Sequence, residues 1–203
     1  SAASDVYKRQ AATGAKLMGP HNAGSSIPGI DKGLCGGDVV KLGSSVELEV
    51  IDTPGHTPIH ISMLGHGNES HLLCGDTIFN AGVGHCYSGD PKVLYATFRN
   101  KIARMADDTR IYPGHDYIAN NLKFTLDREP DNANAKALLA NVEGQDPANA
   151  LVTTLGMERK VNTFMRLDNA SVIAGVKSSF PDLPDTPNEE DVFLSLRKLR
   201  NDW

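Results

Sequence analysis

The chain has 203 residues, 40% of them hydrophobic and 22% charged, with 19 Gly and 11 Pro, which is the composition of one globular domain or of a domain with a helical appendage. Its net charge of −5, and the absence of any apolar run near the ~18 residues of a bilayer span, exclude a polyanion-binding chain and a membrane-spanning one; neither nucleic acid nor membrane is an expected partner. Cys35, Cys74 and Cys86 form no C-x-x-C and leave an odd thiol under any pairing, which points to a reducing compartment, the cytoplasm.

Residues 1–10, SAASDVYKRQ, open without methionine and lack an apolar stretch; they read as a non-native scar and are set apart from the fold. From Thr13 to about Tyr117, short apolar or alternating runs are separated by Gly, Pro, Asn and Asp clusters, the mark of strands joined by turns. Strands are predicted over Ala15–Met18, Val39–Leu42, Val46–Asp52, His60–Leu64, His71–Cys74 and Arg110–Tyr112. Val46, Leu48 and Val50 alternate with Glu47 and Glu49, as in a half-buried strand. One helix interrupts the series, capped by Asp90, with Pro91 in its first turn and an apolar face of Val93, Leu94, Phe98, Ile102 and Met105. After Tyr117 the pattern is helical: Ile118–Asp127, Asn134–Val142, Ala170–Val176 and Glu189–Arg200. The last is well specified, with Asn188 as cap, Glu189, Glu190 and Asp191 at its start, and Arg197, Lys198 and Arg200 at its end. A strand-rich part (11–117) followed by a helical part (118–203) predicts two structural units.

Three motifs fall at strand ends: T-P-G-H-T at 53–57, G-D-T at 75–77 and Y-P-G-H-D-Y at 112–117. Each sets a metal-capable side chain, His56, Asp76 or His115, in a glycine-containing loop that can turn toward a common edge. Two imidazoles and a carboxylate suit Zn(II), Fe(II) or Mn(II), and a carboxylate can bridge two cations.

The order of these motifs and the residues around them resemble the metallo-β-lactamase superfamily and, within it, the glyoxalase II (hydroxyacylglutathione hydrolase) family. The similarity runs from about Ala12 to Trp203. It takes in T-P-G-H-T-P-I-H at 53–60, C-G-D-T-I-F at 74–79, G-V-G-H-C-Y at 82–87, Y-P-G-H-D-Y-I-A-N-N-L-K-F at 112–124 and T-L-G-M-E-R-K-V-N-T-F-M-R at 154–166. The resemblance implies an α/β (α+β) fold, an αββα sandwich remnant followed by a helical substrate-binding domain. It also implies two divalent metals, zinc or else iron or manganese, with His56 on one, His115 on the other and Asp76 bridging, and a metal-activated water that hydrolyses the thioester of S-2-hydroxyacylglutathione. Tyr87, Tyr117, His85 and Arg200 match the positions that bind glutathione, and His60 stands beside the site in a supporting role. Cys74 and Cys86 are then packing residues.

The superfamily's H-x-H-x-D-H motif is not among these residues. With His56, Asp76 and His115 alone, each cation has two protein ligands, one of them shared, against three or four at ordinary zinc sites. The expectation is an N-terminally truncated chain that binds metal poorly, has no hydrolase activity as it stands and exposes sheet surface. Two other readings stand beside the hydrolase. One is a mononuclear-iron persulfide dioxygenase, to whose last motif Y-P-G-H-D-Y is also close; the other is a glutathione-binding module without catalysis.

Overall fold

The structure, a computed structural model, describes residues 2–203, apart from the side chains of residues 2–7 and of Pro147. A helix α1 (Ala2–Thr13) runs across the boundary drawn at residue 10 from sequence. Strands β1 (Met18–Pro20) and β2 (Lys32–Leu34) form a small parallel pair. A five-stranded sheet follows in the order β3 (Val39–Leu42), β4 (Val46–Asp52), β5 (Ile61–Gly65), β6 (His71–Gly75) and β9 (Arg110–Pro113). Its first four strands are antiparallel neighbours and β9 joins β6 in parallel. Between β6 and β9 the chain makes a two-stranded hairpin, β7 (Ile78–Phe79) and β8 (Gly82–Val83), and helix α2 (Pro91–Asn100). The helical part comprises α3 (Ile118–Arg128), α4 (Ala133–Val142), α5 (Leu155–Val161), α6 (Ala170–Ser179) and α7 (Glu189–Asp202).

Strands β3 and β4 lie where the alternating pattern puts them, and the Asp90 side chain caps α2 by accepting from the Lys92 amide. Other predictions need correction. The first strand begins at Met18 instead of Ala15, because the Leu17 amide is taken by the Asp31 carboxylate and the ladder to β2 starts one residue later. The helix drawn through Met105 stops at Asn100. Lys101 leaves helical geometry (φ −122, ψ −64), and Ile102–Arg104 is a separate 3-10 turn that still buries Ile102. The short strands β2, β7 and β8 and helix α5 carry no periodicity long enough to read from sequence.

One face of the sheet, presenting Leu72, Cys74 and Ile111, packs on Leu94 and Phe98 of α2, and the same cluster continues into Phe124, Leu155, Phe164, Val172, Phe193 and Leu196. The strand-rich and helical parts therefore share a hydrophobic core. Residues 153–155 also run along the free side of β9: Ile111 donates to the Thr153 carbonyl and Leu155 to that of Thr109.

The opposite face is covered only in part. Leu34 from β2 packs with Val40, Leu48 and Val50, whereas the register row Met63, Leu73, Tyr112 continues outward with Leu73 43% and Tyr112 38% exposed. Leu42 and Val46 on this face are exposed as well, so Val46 does not share the burial of Leu48 and Val50. Apolar sheet surface of this kind promotes association. Sedimentation velocity of the wild-type chain is expected to show concentration-dependent self-association, and Leu73→Glu, which charges the middle of the row, to shift it toward monomer. Equal monomer content in both would contradict this account.

Candidate functional site

The T-P-G-H-T loop leaves β4 through a turn at Gly55 (φ +140), where any Cβ would stand 2.4 Å from the Leu94 Cα; the loop thus lies directly on α2. Thr97 of α2 donates to the Pro54 carbonyl and the Asp90 amide to that of Gly55. The second loop leaves β6 at Gly75 and presents Asp76. The third leaves β9, and its Gly114 amide donates to the Gly75 carbonyl. A Cβ at Gly114 would sit 2.5 Å from Asp76 Oδ1, so the glycine makes the space that the carboxylate occupies.

These loops bring His56, Asp76 and His115 together. His115 Nδ1 lies 2.9 Å from Asp76 Oδ1, and His56 Nε2 lies 3.4 Å from Asp76 Oδ2. His56 Nδ1 donates to the His85 carbonyl in a short hydrogen bond, which in the neutral ring leaves a lone pair on Nε2. In that neutral form two acceptor atoms, His56 Nε2 and Asp76 Oδ2, face each other, an arrangement that a positive centre stabilises. Their separation is also close to the ~3.4 Å between two donors on a tetrahedral cation with bonds of about 2.0–2.1 Å. The residues fit a divalent metal in donor type and convergence. They fall short in number: among the described residues no group of three or more His, Cys, Asp or Glu closes around a single ion position.

His60 supports this edge. Its Nε2 accepts the Asp76 amide at 3.3 Å, and its Nδ1–H points to Thr53 Oγ1 (2.8 Å) and Thr77 Oγ1 (3.0 Å). Burial, then the neighbouring His56, pushes its pKa down to about 4. Cys74 is fully buried, and burial pushes its thiol up to about 12, far from a nucleophile; Cys86 is raised for the same reason.

The three side chains lie at one end of a cavity of about 440 Å³. Phe79 stands edge-on to both His115 and Tyr117, and Tyr117 stacks flat on His115 (4° between planes). The His85 ring stacks on Tyr87, which is 85% exposed at the rim, and burial followed by Arg197 lowers the His85 pKa. Arg200 lines the cavity too, donating to Asn121 Oδ1 and lying over the rings of Phe124 and Trp203. All of Tyr87, Tyr117, His85 and Arg200 are therefore on the wall of one cavity with the metal-capable side chains.

Arg197 joins them and was not singled out from sequence. Only 3% exposed, it donates to the Val83 and Gly84 carbonyls and to Asn201 Oδ1, with no carboxylate of the described residues paired to it. Burial lowers its pKa to about 10. Its position four residues after Phe193 puts it on the buried face of α7, a signal masked by the cationic run at the chain end. A buried guanidinium without a counter-charge makes the cavity attractive to anions.

Comparison with known proteins settles the kinship. A family model described as "Hydroxyacylglutathione hydrolase C-terminus" matches residues 116–203, and one described as "Metallo-beta-lactamase superfamily" matches residues 10–115. Proteins named hydroxyacylglutathione hydrolase from a Polaromonas species and from Nitrosococcus oceani are 57% and 55% identical over 194 residues, 95% of this chain and 74% of each relative. The chain belongs to the hydroxyacylglutathione hydrolase family. Among solved structures, ETHE1 from Myxococcus xanthus (TM-score 0.57, 22% identity, 95% of this chain and 69% of that one) and a metallo-beta-lactamase from Staphylococcus aureus (0.53, 19%, 94% and 52%) share the fold. Membership of this hydrolase family argues against both the dioxygenase and the non-catalytic reading. Among the described residues no helix is long and apolar enough to cross a membrane.

Two groups of this hydroxyacylglutathione hydrolase relative, one partly and one fully buried, respond to pH in opposite senses. His60, down from 6.5 to about 4, contributes stability that is present above pH 6.5 and lost as pH falls toward 4. Glu158, fully buried and up from 4.5 to about 7, contributes stability that is present below pH 4.5 and lost as pH rises through 7. Each is worth roughly 3 kcal/mol across its window. Urea midpoints of the wild type should therefore vary little between these limits. Those of Glu158→Gln should rise with pH and those of His60→Gln should fall; parallel profiles in the two variants would refute the assignment.

Proposed function

We propose that the chain is built for hydrolysis of the thioester of S-2-hydroxyacylglutathione, releasing glutathione and a 2-hydroxy acid. The observation that carries this reading is that both oxygens of Asp76 face an imidazole, those of His56 and His115, inside the cavity walled by Arg197 and Arg200. The substrate carries two carboxylates on a flexible peptide. Arg197 and Arg200 are the cationic groups to receive them, and the exposed rings of Tyr87 and Tyr117 line the way in. Zinc is our first choice of metal, with iron or manganese as alternatives: His56 would hold one cation, His115 a second, and Asp76 would bridge. A cation pair so held supplies Lewis acidity to the thioester carbonyl and lowers the pKa of water.

The chain's own groups do the rest. The His85 carbonyl orients His56, the Asp76 amide is pinned by His60, and the Phe79 and Tyr117 rings fix the plane of His115. No side-chain nucleophile is required, consistent with the buried Cys74. The unpaired thiols suit the cytoplasm. Two protein donors per cation, one of them shared, would hold metal weakly.

Thioester hydrolysis, metal content after dialysis and calorimetry with S-hexylglutathione test the reading together. Dialysed protein is expected to retain less than one equivalent of metal, and added zinc to raise a low hydrolysis rate. Asp76→Asn should abolish the zinc response, and Arg200→Ala should weaken S-hexylglutathione binding about tenfold, equivalent to roughly 1.4 kcal/mol. A zinc response that survives Asp76→Asn, or ligand binding indifferent to Arg200→Ala, would refute it.

A further inference from the structure

The hairpin of β7 and β8 has strands of two residues each and little ladder of its own, with Ile78 opposite Val83 and Phe79 opposite Gly82. Its turn places Ala81 at φ +58, the one non-glycine residue with positive φ among the described residues. Left-handed backbone is costly for a residue with a Cβ, so this turn needs outside support.

That support comes from side chains of the helical part. Asn121 Nδ2 of α3 donates to the Asn80 carbonyl (2.9 Å), and the Ala81 amide donates to Glu158 Oε2 of α5 (2.8 Å). Asn162 Nδ2 donates both to the Gly82 carbonyl (3.1 Å) and to Glu158 Oε2 (2.9 Å). Arg197 of α7 donates to the Val83 and Gly84 carbonyls (3.1 Å each). The remaining oxygen of Glu158 accepts from Thr153 Oγ1 (2.7 Å), which itself accepts from Asn80 Nδ2 (2.7 Å). Thus the Glu158 carboxylate receives donors from three directions and faces no cation, while neighbouring groups of residues 80–84 are tied to the helices. The residue that follows is His85, whose carbonyl accepts from His56 Nδ1.

We propose that Glu158 is a positioning residue for His56: by holding the Ala81 amide it shapes residues 80–85, so that the His85 carbonyl keeps His56 protonated at Nδ1 with Nε2 turned to Asp76. A backbone acceptor on the far nitrogen of an imidazole sets its tautomer and its direction. Glu158 acts here through residues 81–85 and touches none of the groups that would meet substrate. The helical part accordingly does more than wall the cavity, since it also sets the proton position on a side chain of the strand-rich part. This inference rests on His56 belonging to the functional site.

Long-range ¹H–¹⁵N NMR of the His56 ring at pH 8 with chelator present, combined with amide hydrogen exchange, tests it without thioester or metal, so its failure and that of the hydrolase reading are separate. In the wild type, Nδ1 should give a pyrrole-type and Nε2 a pyridine-type signal. Glu158→Leu should move both toward tautomer-averaged values and speed exchange of amides 80–85 at least tenfold, while β4 amides stay protected. Glu158→Gln, which retains an oxygen for the Ala81 amide, should keep the wild-type ring pattern. Adding Ala81→Gly to Glu158→Leu, which removes the cost of the left-handed turn, should restore part of it. If Glu158→Leu does not fold, Thr153→Val takes its place, with the same direction of change and at least threefold faster exchange at 80–85. An unchanged His56 tautomer in the variant that folds would overturn the proposal. So would loss of protection spread equally over β4, or a Glu158→Gln ring pattern matching that of Glu158→Leu.

Discussion

The close approach of His56 to Asp76 organises the loop end of the sheet. His56 Nε2 and Asp76 Oδ2 stand 3.4 Å apart, and the Nδ1 bond to the His85 carbonyl directs the imidazole lone pair at the carboxylate. Such a pair is stable in a fold only if the surroundings hold it there or a positive charge joins it. The fold does hold it: α2 fixes the His56 loop through Thr97 and Asp90, and His60 pins the Asp76 amide.

The shared core explains how loops from separate strands stay in register over so short a distance. Phe193 of α7 touches Tyr95 and Phe98 of α2 and Phe164 of the helical part, while Leu72 and Ile111 of the sheet belong to the same cluster. The edges of β6 and β9 cannot slide relative to the helices without opening that cluster. Residues 153–155 along β9 strengthen the connection, since they carry the backbone directly into α5 and hence to Glu158.

The three glycine-containing motifs and their place at strand ends were legible in the sequence, because strand periodicity and turn residues are local signals. So were β3, β4 and the caps at Asp90 and Asn188. The hairpin at 78–83 was not, since two-residue strands leave no pattern and their geometry is imposed by side chains 41 to 114 positions away. Glu158 and Arg197 were hidden for a related reason. Each sits in a charged stretch that looks solvated, E-R-K in one case and R-K-L-R in the other, and only tertiary packing reveals which member of the run points inward. Val46 shows the converse: a correct alternation assigned it to the core face, and the absence of a covering element left it exposed.

Gly114 has a consequence for how the cavity can diversify. Because the Asp76 carboxylate fills the volume that even a methyl group would claim at that position, the floor admits no remodelling by ordinary substitution. Tyr87 and Tyr117, exposed on the cavity wall, are under no such restriction. New preferences among acyl groups or peptide ends are therefore more easily written at the rim, leaving a fixed base beneath an adaptable mouth.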